Sequence, residues 1–439
     1  MPKRRGKKEG GSRRGAAPNG LPQSSDEEDH RTPDNASIAS SQSDMHSILE
    51  DGDVEGRSDE VDEQSAMEEF EEKLKDVIDG LTQKSSKGRT DCLKSLSAAF
   101  CKKYISDFIF DRKMTVQDCL ERCLKKGKAD EQIHAANCLS LLFLQLGASD
   151  ETEEAFRAVR GLLQTLVLDK SVNIKARAAC AQSLGICTFI AGGEIEDVTE
   201  AMRSLERVFG ASYLKGDGTP PCHSPDVATL HSEALNSWAL LLSISSPNVF
   251  QGYVNSHLSR VSELLQSGDV DLRITAGETL AVMYEIARDE DSDFVGEDFD
   301  ELCQTLKQLS TDSNKYIAKK DRKQQRSSFR EILRGVEDGD IARNRIQFGI
   351  ESLMLDSWVM KLHYDSMCTV LGTGMLLHMA ENELVRDIFG FGAPIPTNAK
   401  PSHKPSRLER HLYNAAAFKA RTKVRSKNRD KRSAALAPE

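Results

Sequence analysis

From Lys419 to Lys431 every second residue is basic, and Arg432 adds one more, near the end of a 439-residue chain whose net charge is −10. Positive charge at that density suits phosphate. On a helix turning 100° per residue the set resolves into two stripes. Lys419, Lys423, Lys427 and Lys431 make one, and Arg421, Arg425, Arg429 and Arg432 make the other on nearly the opposite side. Ser406-Arg-Leu-Glu409 just upstream is a capping box, in which the serine hydroxyl caps the helix and Glu409 reaches back to the serine amide. The 26 residues after Ser406 contain no Gly or Pro, so they predict one helix of about 39 Å. It has no continuous apolar face, which argues against docking on a protein core or lying on a membrane. Cations on two sides call for a cleft or channel walled by nucleic acid. Arg407 and Arg410 extend the charge, while His411, Tyr413 and Phe418 offer stacking on unpaired bases. A nuclear-import signal in a tail is the alternative.

A second basic set lies at 315–334, KYIAKKDRKQQRSSFREILR, with eight Lys/Arg and two acids. Lys315, Lys319, Lys323, Arg326, Arg330 and Arg334 fall near one helical stripe, with Lys320 and Arg322 beside it. Residues 73–399 carry about −9 with the cluster included, so the cluster stands out as a candidate phosphate-binding surface, with a solvated helix face as the alternative.

Patterns for covalent chemistry are missing. GTG (372–374) and GFG (390–392) lack the strand–Gly–helix context of dinucleotide or phosphate sites, and no Walker, G-x-S-x-G or H-E-x-x-H pattern occurs. Cys119 and Cys123 could share a helix face, but no C-x-x-C or histidine pair completes a zinc set, and Cys222-His223 fails for the same reason. We therefore expect no catalytic residues, metal, cofactor or small-molecule substrate.

The elements that would carry these sets are helical. Residues 1–64 form a basic then acidic tail expected to be disordered: 1–14 have net charge +6, and 26–72 hold eighteen Asp/Glu against two Arg. From Phe70 onward Leu74, Val77, Ile78 and Leu81 keep helical spacing. Similar openings recur at 85–96, 128–142, 170–185, 268–283 and 311–324, each a polar turn, a basic or polar residue, small residues, then aliphatics. Most steps are 42–43 residues; the 98-residue gap fits two repeats plus the loop 215–226, with 226–244 as the missing helix. A helix-only period of 40–47 residues is the armadillo/HEAT signature. The expected fold is all-α: an armadillo/HEAT-like solenoid over 65–345, a small helical C-terminal domain at 346–392 packed on its end, a Pro-rich linker at 393–405, a basic helix at 406–432 and a tail at 433–439. Such a solenoid leaves a long surface for binding. No run approaches the roughly 20 apolar residues of a membrane span, and the N-terminus lacks the apolar core of a signal peptide, so no membrane partner is expected. Ten cysteines, mostly within apolar helix-like segments, point to an intracellular protein.

The repeats, CLKKGKADEQ (123–132), DSNKYIAKKDRKQQRSSFR (312–330) and HLYNAAAFKARTKVRSKNRDKR (411–432) resemble the interferon-related developmental regulator family over about residues 60–434. The wording of ENELVRDIFGFG and YNAAAFKARTK leans towards the second of its two vertebrate paralogues. The resemblance implies an armadillo-like domain, a C-terminal region of conserved type and no enzymatic activity. It also implies binding to translationally inactive ribosomes, both rRNA and ribosomal proteins, with the C-terminal helix in the mRNA path excluding mRNA and tRNA. The alternative it implies is transcriptional co-regulation with histone deacetylase co-repressor proteins during differentiation. The first belongs to the cytoplasm, the second to the nucleus.

Overall fold

The computed structural model describes residues 59–312 and 318–395, so the tail 1–58, most of the Pro-rich linker and the 406–432 segment lie outside the described residues. Residues 66–395 belong to one compact unit.

Helices dominate because the repeat openings are helix starts. Ser85 accepts from the Gly88 amide ahead of α2 (Ser86–Lys102), which follows α1 (Asp59–Gly80). A short α3 (Ser106–Phe110) and α4 (Lys113–Lys126) lead to α5 (Ala129–Leu146). Ser149 caps α6 (Asp150–Leu168), and Asn173 caps α7 (Ile174–Ala191). Then come α8 (Ile195–Phe209) and two helices opened by proline at their first turns, α9 (Pro225–Leu242) and α10 (Pro247–Glu263). Asp269 caps α11 (Val270–Glu290), which precedes α12 (Phe299–Thr311) and α13 (Lys319–Asp338). Each cap satisfies an amide that the helix cannot pair internally.

These helices form two rows. The first is α2, α5, α7, α9, α11 and α13, each packed on the next; α4, α6, α8, α10 and α12 pair with the first-row helix that follows each of them. The openings at 85, 128, 170 and 268 lead into first-row helices, that at 311–324 contains the start of α13, and α9 is the missing one. Small residues let the row close up. A Cβ on Gly185 of α7 would lie 2.5 Å from Ser237 Cβ of α9, and one on Gly277 of α11 would meet Ile332 and Phe329 of α13 at 2.9 and 3.0 Å.

First-row helices differ from end to end. Residues 138–145, 183–188, 237–242 and 279–284 are buried without interruption, whereas their N-terminal turns alternate with exposed positions. Burial over more than one helical turn without a break means a helix covered on all sides. The cover is the chain's own C-terminal segment, and its form differs from expectation. Instead of a helical domain on the solenoid's end, it opens as an antiparallel hairpin, β1 (Asn344–Phe348) and β2 (Glu351–Leu355), with Arg345 opposite Met354 and Phe348 opposite Glu351. Gly349, at φ 50°, makes the two-residue turn. Three helices follow, α14 (Trp358–Leu371), α15 (Met375–Glu381) and α16 (Glu383–Ile388).

This segment runs back across the C-terminal ends of the row. Glu285 of α11 accepts from the Trp358 and Val359 amides at 2.6 and 3.3 Å, capping α14. His363 Nε2 lies 2.8 Å from Ser243 Oγ after α9 and stacks edge-on against Phe189 of α7. Asn382 Nδ2 donates to Leu144 O of α5, and His378 Nε2 donates to Phe100 O of α2, both at 2.8 Å. Buried Arg386 forks onto Glu351 at 2.7 and 3.0 Å, tying α16 to the hairpin.

Two outcomes follow. A Cβ on Gly374 would sit 1.9 Å from Cys101 O, where neither backbone can yield cheaply. Gly374→Val should therefore cost about 1–3 kcal/mol in denaturant melts, while Gly216→Val, in open space, should cost little. Burial pushes the His363 imidazole down to about 4 from its ordinary 6.5. A depressed histidine keeps its contribution above pH 6.5 and loses it as pH falls through 4. His363→Gln should flatten the fall of the thermal midpoint across that window.

Candidate nucleic-acid interface

At the end of the row, α13 has one neighbour in the row instead of two, and this decides which of its faces is apolar. Gln325, Phe329, Ile332, Gly335 and Val336 are buried against α11 and α12. Lys319, Lys320, Lys323, Arg330 and Arg334 are exposed on the remaining face, and Arg322 and Arg326 are half-buried. From Lys319 to Arg334 is about 22 Å of helix. Among the described residues Lys319, Lys320, Lys323 and Arg330 have no ion pair, whereas Arg334 is paired with Asp340. Arg322 is turned inward, with its Nε buried and without a hydrogen-bond partner. Lys315 lies outside the described residues; the other five predicted members of the stripe lie on α13.

The stripe is held in place by a buried polar knot that sequence reasoning missed. Arg273 of α11 donates through Nη2 to Gln325 Oε1 at 2.5 Å and through Nη1 to Ser267 O. Gln325 Nε2 lies 3.5 Å from Leu309 O and 3.3 Å from Asp312 Oδ2 at the end of α12. Burial lowers the Arg273 pKa, although Asp269 and Asp312 oppose the shift. At the other end Gly339, at φ 65°, closes α13 in the left-handed conformation, and its amide bonds Gly335 O. The only sequence signal was a glutamine at the apolar spacing of Phe329 and Ile332. Exposed Arg343 and Arg345 on and beside β1 add two further cations, and the alternation in NRIQF was their signal.

The other candidates take different roles. Cys119 and Cys123 are core side chains, and burial together with Glu131 pushes the Cys123 thiol up to about 12. Cys222 is exposed, and His223 Nε2 lies 3.3 Å from Ala211 O. Gly372–Gly374 is a turn between α14 and α15. Among the described residues no three His, Cys, Asp or Glu side chains gather to hold a metal, and no helix is long and apolar enough to cross a membrane. Ser406, Glu409, Arg407, Arg410, His411, Tyr413, Phe418 and the Lys/Arg stripes of 419–432 lie outside the described residues.

Fold and surface define an armadillo-like α-solenoid with an exposed basic helix at the end of its repeat row. Residues 35–337 match the family model described as interferon-related developmental regulator, and 382–433 match that described as interferon-related protein conserved region. The chain belongs to the interferon-related developmental regulator family. It is 43% identical over 400 residues to human interferon-related developmental regulator 1, covering 90% of this chain and 87% of that one. Its identity to mouse interferon-related developmental regulator 2 is 44% over 375 residues, 85% of each chain, so the two paralogues stand level. An uncharacterised fission-yeast protein is 23% identical over 346 residues, 74% of each chain. Among solved structures an engineered protein matches with a TM-score of 0.39 at 16% identity, over 61% of this chain and 97% of its own. A designed armadillo repeat protein matches with a TM-score of 0.37 at 14% identity, over 59% and 99%.

If the stripe contacts phosphate, K319E/K323E/R330E should reduce the magnitude of the log–log salt slope of RNA binding by about 2, read by fluorescence anisotropy on a labelled duplex. Unfolding should hardly change, since all three side chains are exposed.

Proposed function

We infer that this protein is a non-catalytic, ribosome-binding translational repressor. The 406–432 segment occupies an rRNA-walled mRNA path and excludes mRNA and tRNA, while the α13 stripe grips rRNA outside it. The observation that carries this is the exposed face of α13, where four cations without an ion pair follow one another on an acidic body. Structural lysines on an ordinary solvated face are usually interspersed with acids; here Asp321 and Glu331 are half-buried and the exposed acids sit at the C-terminal end, Glu337 and Asp338. The two alternating basic stripes of 419–432 supply the same chemistry on a segment 80 residues further on.

The competing function is a nuclear scaffold for histone deacetylase co-repressors. A solenoid grips a partner through a long open face. Here the C-terminal halves of α5, α7, α9 and α11 are already covered by 344–391, which leaves less of that face for a peptide. Association with inactive ribosomes calls for the cytoplasm, with the nucleus as a second compartment.

Truncation after Lys404 should abolish repression in a reconstituted translation reaction and lower co-sedimentation with 80S ribosomes. Unchanged repression by the truncated chain would sink the proposal. Loss of nuclear entry alone, in K419E/R421E/K423E/R425E, would favour the scaffold.

A further inference from the structure

First-row helices run parallel, so their first turns share one edge. Three bridges show it: Arg89 of α2 to Glu131 of α5 at 2.6 Å, Lys175 of α7 to Asp226 of α9 at 3.7 Å, and Arg273 of α11 to Gln325 of α13 at 2.5 Å. The first two join the opening turns of neighbouring helices, and the third runs from the first turn of α11 to Gln325 in the second turn of α13. The returning C-terminal segment crosses the opposite ends of the row and leaves this edge open. Along it the first three helices are introduced by Lys84 and Lys87, then Lys126 and Lys128, then Lys170 and Lys175, all six exposed.

The lysines outnumber the acids of these three opening turns, Asp130, Glu131 and Asp169. Glu131 is held by Arg89 and Ser86. The Asp169 carboxylate accepts from the Ser171 amide and hydroxyl at 2.8 and 2.7 Å, which holds its pKa low and keeps it ionised, so it offsets part of the charge of Lys170. Only Lys175 has an acidic partner among the described residues, and a long one. Further along, the sign reverses: Asp269 caps α11, and burial with Asp269 and Asp321 nearby raises the Asp271 pKa. The edge is therefore basic over α2, α5 and α7, acidic at α11, and basic again at Lys319 and Lys320 of α13.

We propose that the α2–α5–α7 edge is a second phosphate-tracking surface, one that follows an RNA backbone. This rests on the ribosome-binding function inferred above and adds to it a contact that neither the α13 stripe nor the 406–432 segment supplies. Packed helices sit about 8–10 Å apart, so the three lysine pairs span about 20 Å at intervals fixed by the row rather than by loop motion. Lysine is a compact charge without the planar fork that reads bases, which suits sequence-independent contact to phosphodiester. The parallel first turns add partial positive charge along the same line. An acidic protein would match the sign, and the Asp269/Asp271 stretch would repel either polyanion; the regular spacing of the lysine pairs along one line suits the evenly charged RNA backbone better than a peptide whose acids are irregularly placed.

The test uses the full chain carrying K84E/K87E/K126E/K128E/K170E, with a labelled 20-base-pair RNA duplex, purified 80S ribosomes and polyglutamate as probes. We expect the salt slope to fall by about 3 or more in magnitude and affinity to fall at least about tenfold. Combination with the α13 reversal should multiply the losses. A Lys→Gln version of the five, with an unchanged thermal midpoint, should show a smaller loss in the same direction and guards against misfolding. Wild-type binding with both variants within twofold and unchanged slopes overturns the edge and leaves the α13 function standing. Loss of polyglutamate binding with RNA binding intact overturns it in favour of an acidic protein partner. Absence of RNA and ribosome binding by the wild type overturns the function inferred above and the edge together.

Discussion

Helices apolar on all sides cannot remain in water, and the architecture follows from that constraint. The second halves of α5, α7, α9 and α11 carry CLSLLFLQ, SLGICT, SWALLL and TLAVMY, runs buried at every position. Their partners in the second row cover one side, and row neighbours cover two more. A fourth side remains, and leaving it exposed would present a contiguous apolar strip of the kind soluble monomers avoid. The segment 344–391 occupies it with Leu353, Leu355, Trp358, Met367, Leu371, Met375 and Met379, all buried.

Covering the strip also requires that backbone groups at the helix ends be satisfied. Phe100 O accepts from both Gln145 Nε2 and His378 Nε2, and Leu144 O accepts from Asn382 Nδ2. Buried carbonyls without such partners would each cost on the order of 1–3 kcal/mol. Two distant parts of the chain thus complete one another's hydrogen bonds, and the cover is a part of the fold rather than an appended domain. At the free end and one edge of the row, at α13 and the opening turns of α2, α5 and α7, cations stay exposed.

Much of this was legible. The repeat openings marked each first-row helix, because Ser85, Asn173 and Asp269 cap and small residues such as Gly277 close the row. The α13 stripe was visible as charge at three- and four-residue spacing. The hairpin was not: IQFGIESLML carries Ile346, Phe348, Leu353 and Leu355 in a pattern also compatible with a helix, and a short apolar run does not separate the two. Nor was the course of 346–391, since nothing local says which surface a buried segment meets.

Sequence alone determined the helix starts, the repeat period, the segregation of charge and the family, because these depend on neighbours within a turn or two. Tertiary structure decided which side of each helix is covered, that the C-terminal segment returns over the row, and that lysines 40 residues apart share an edge. Those depend on parallel packing, in which the first turns of successive helices meet however long the connections between them.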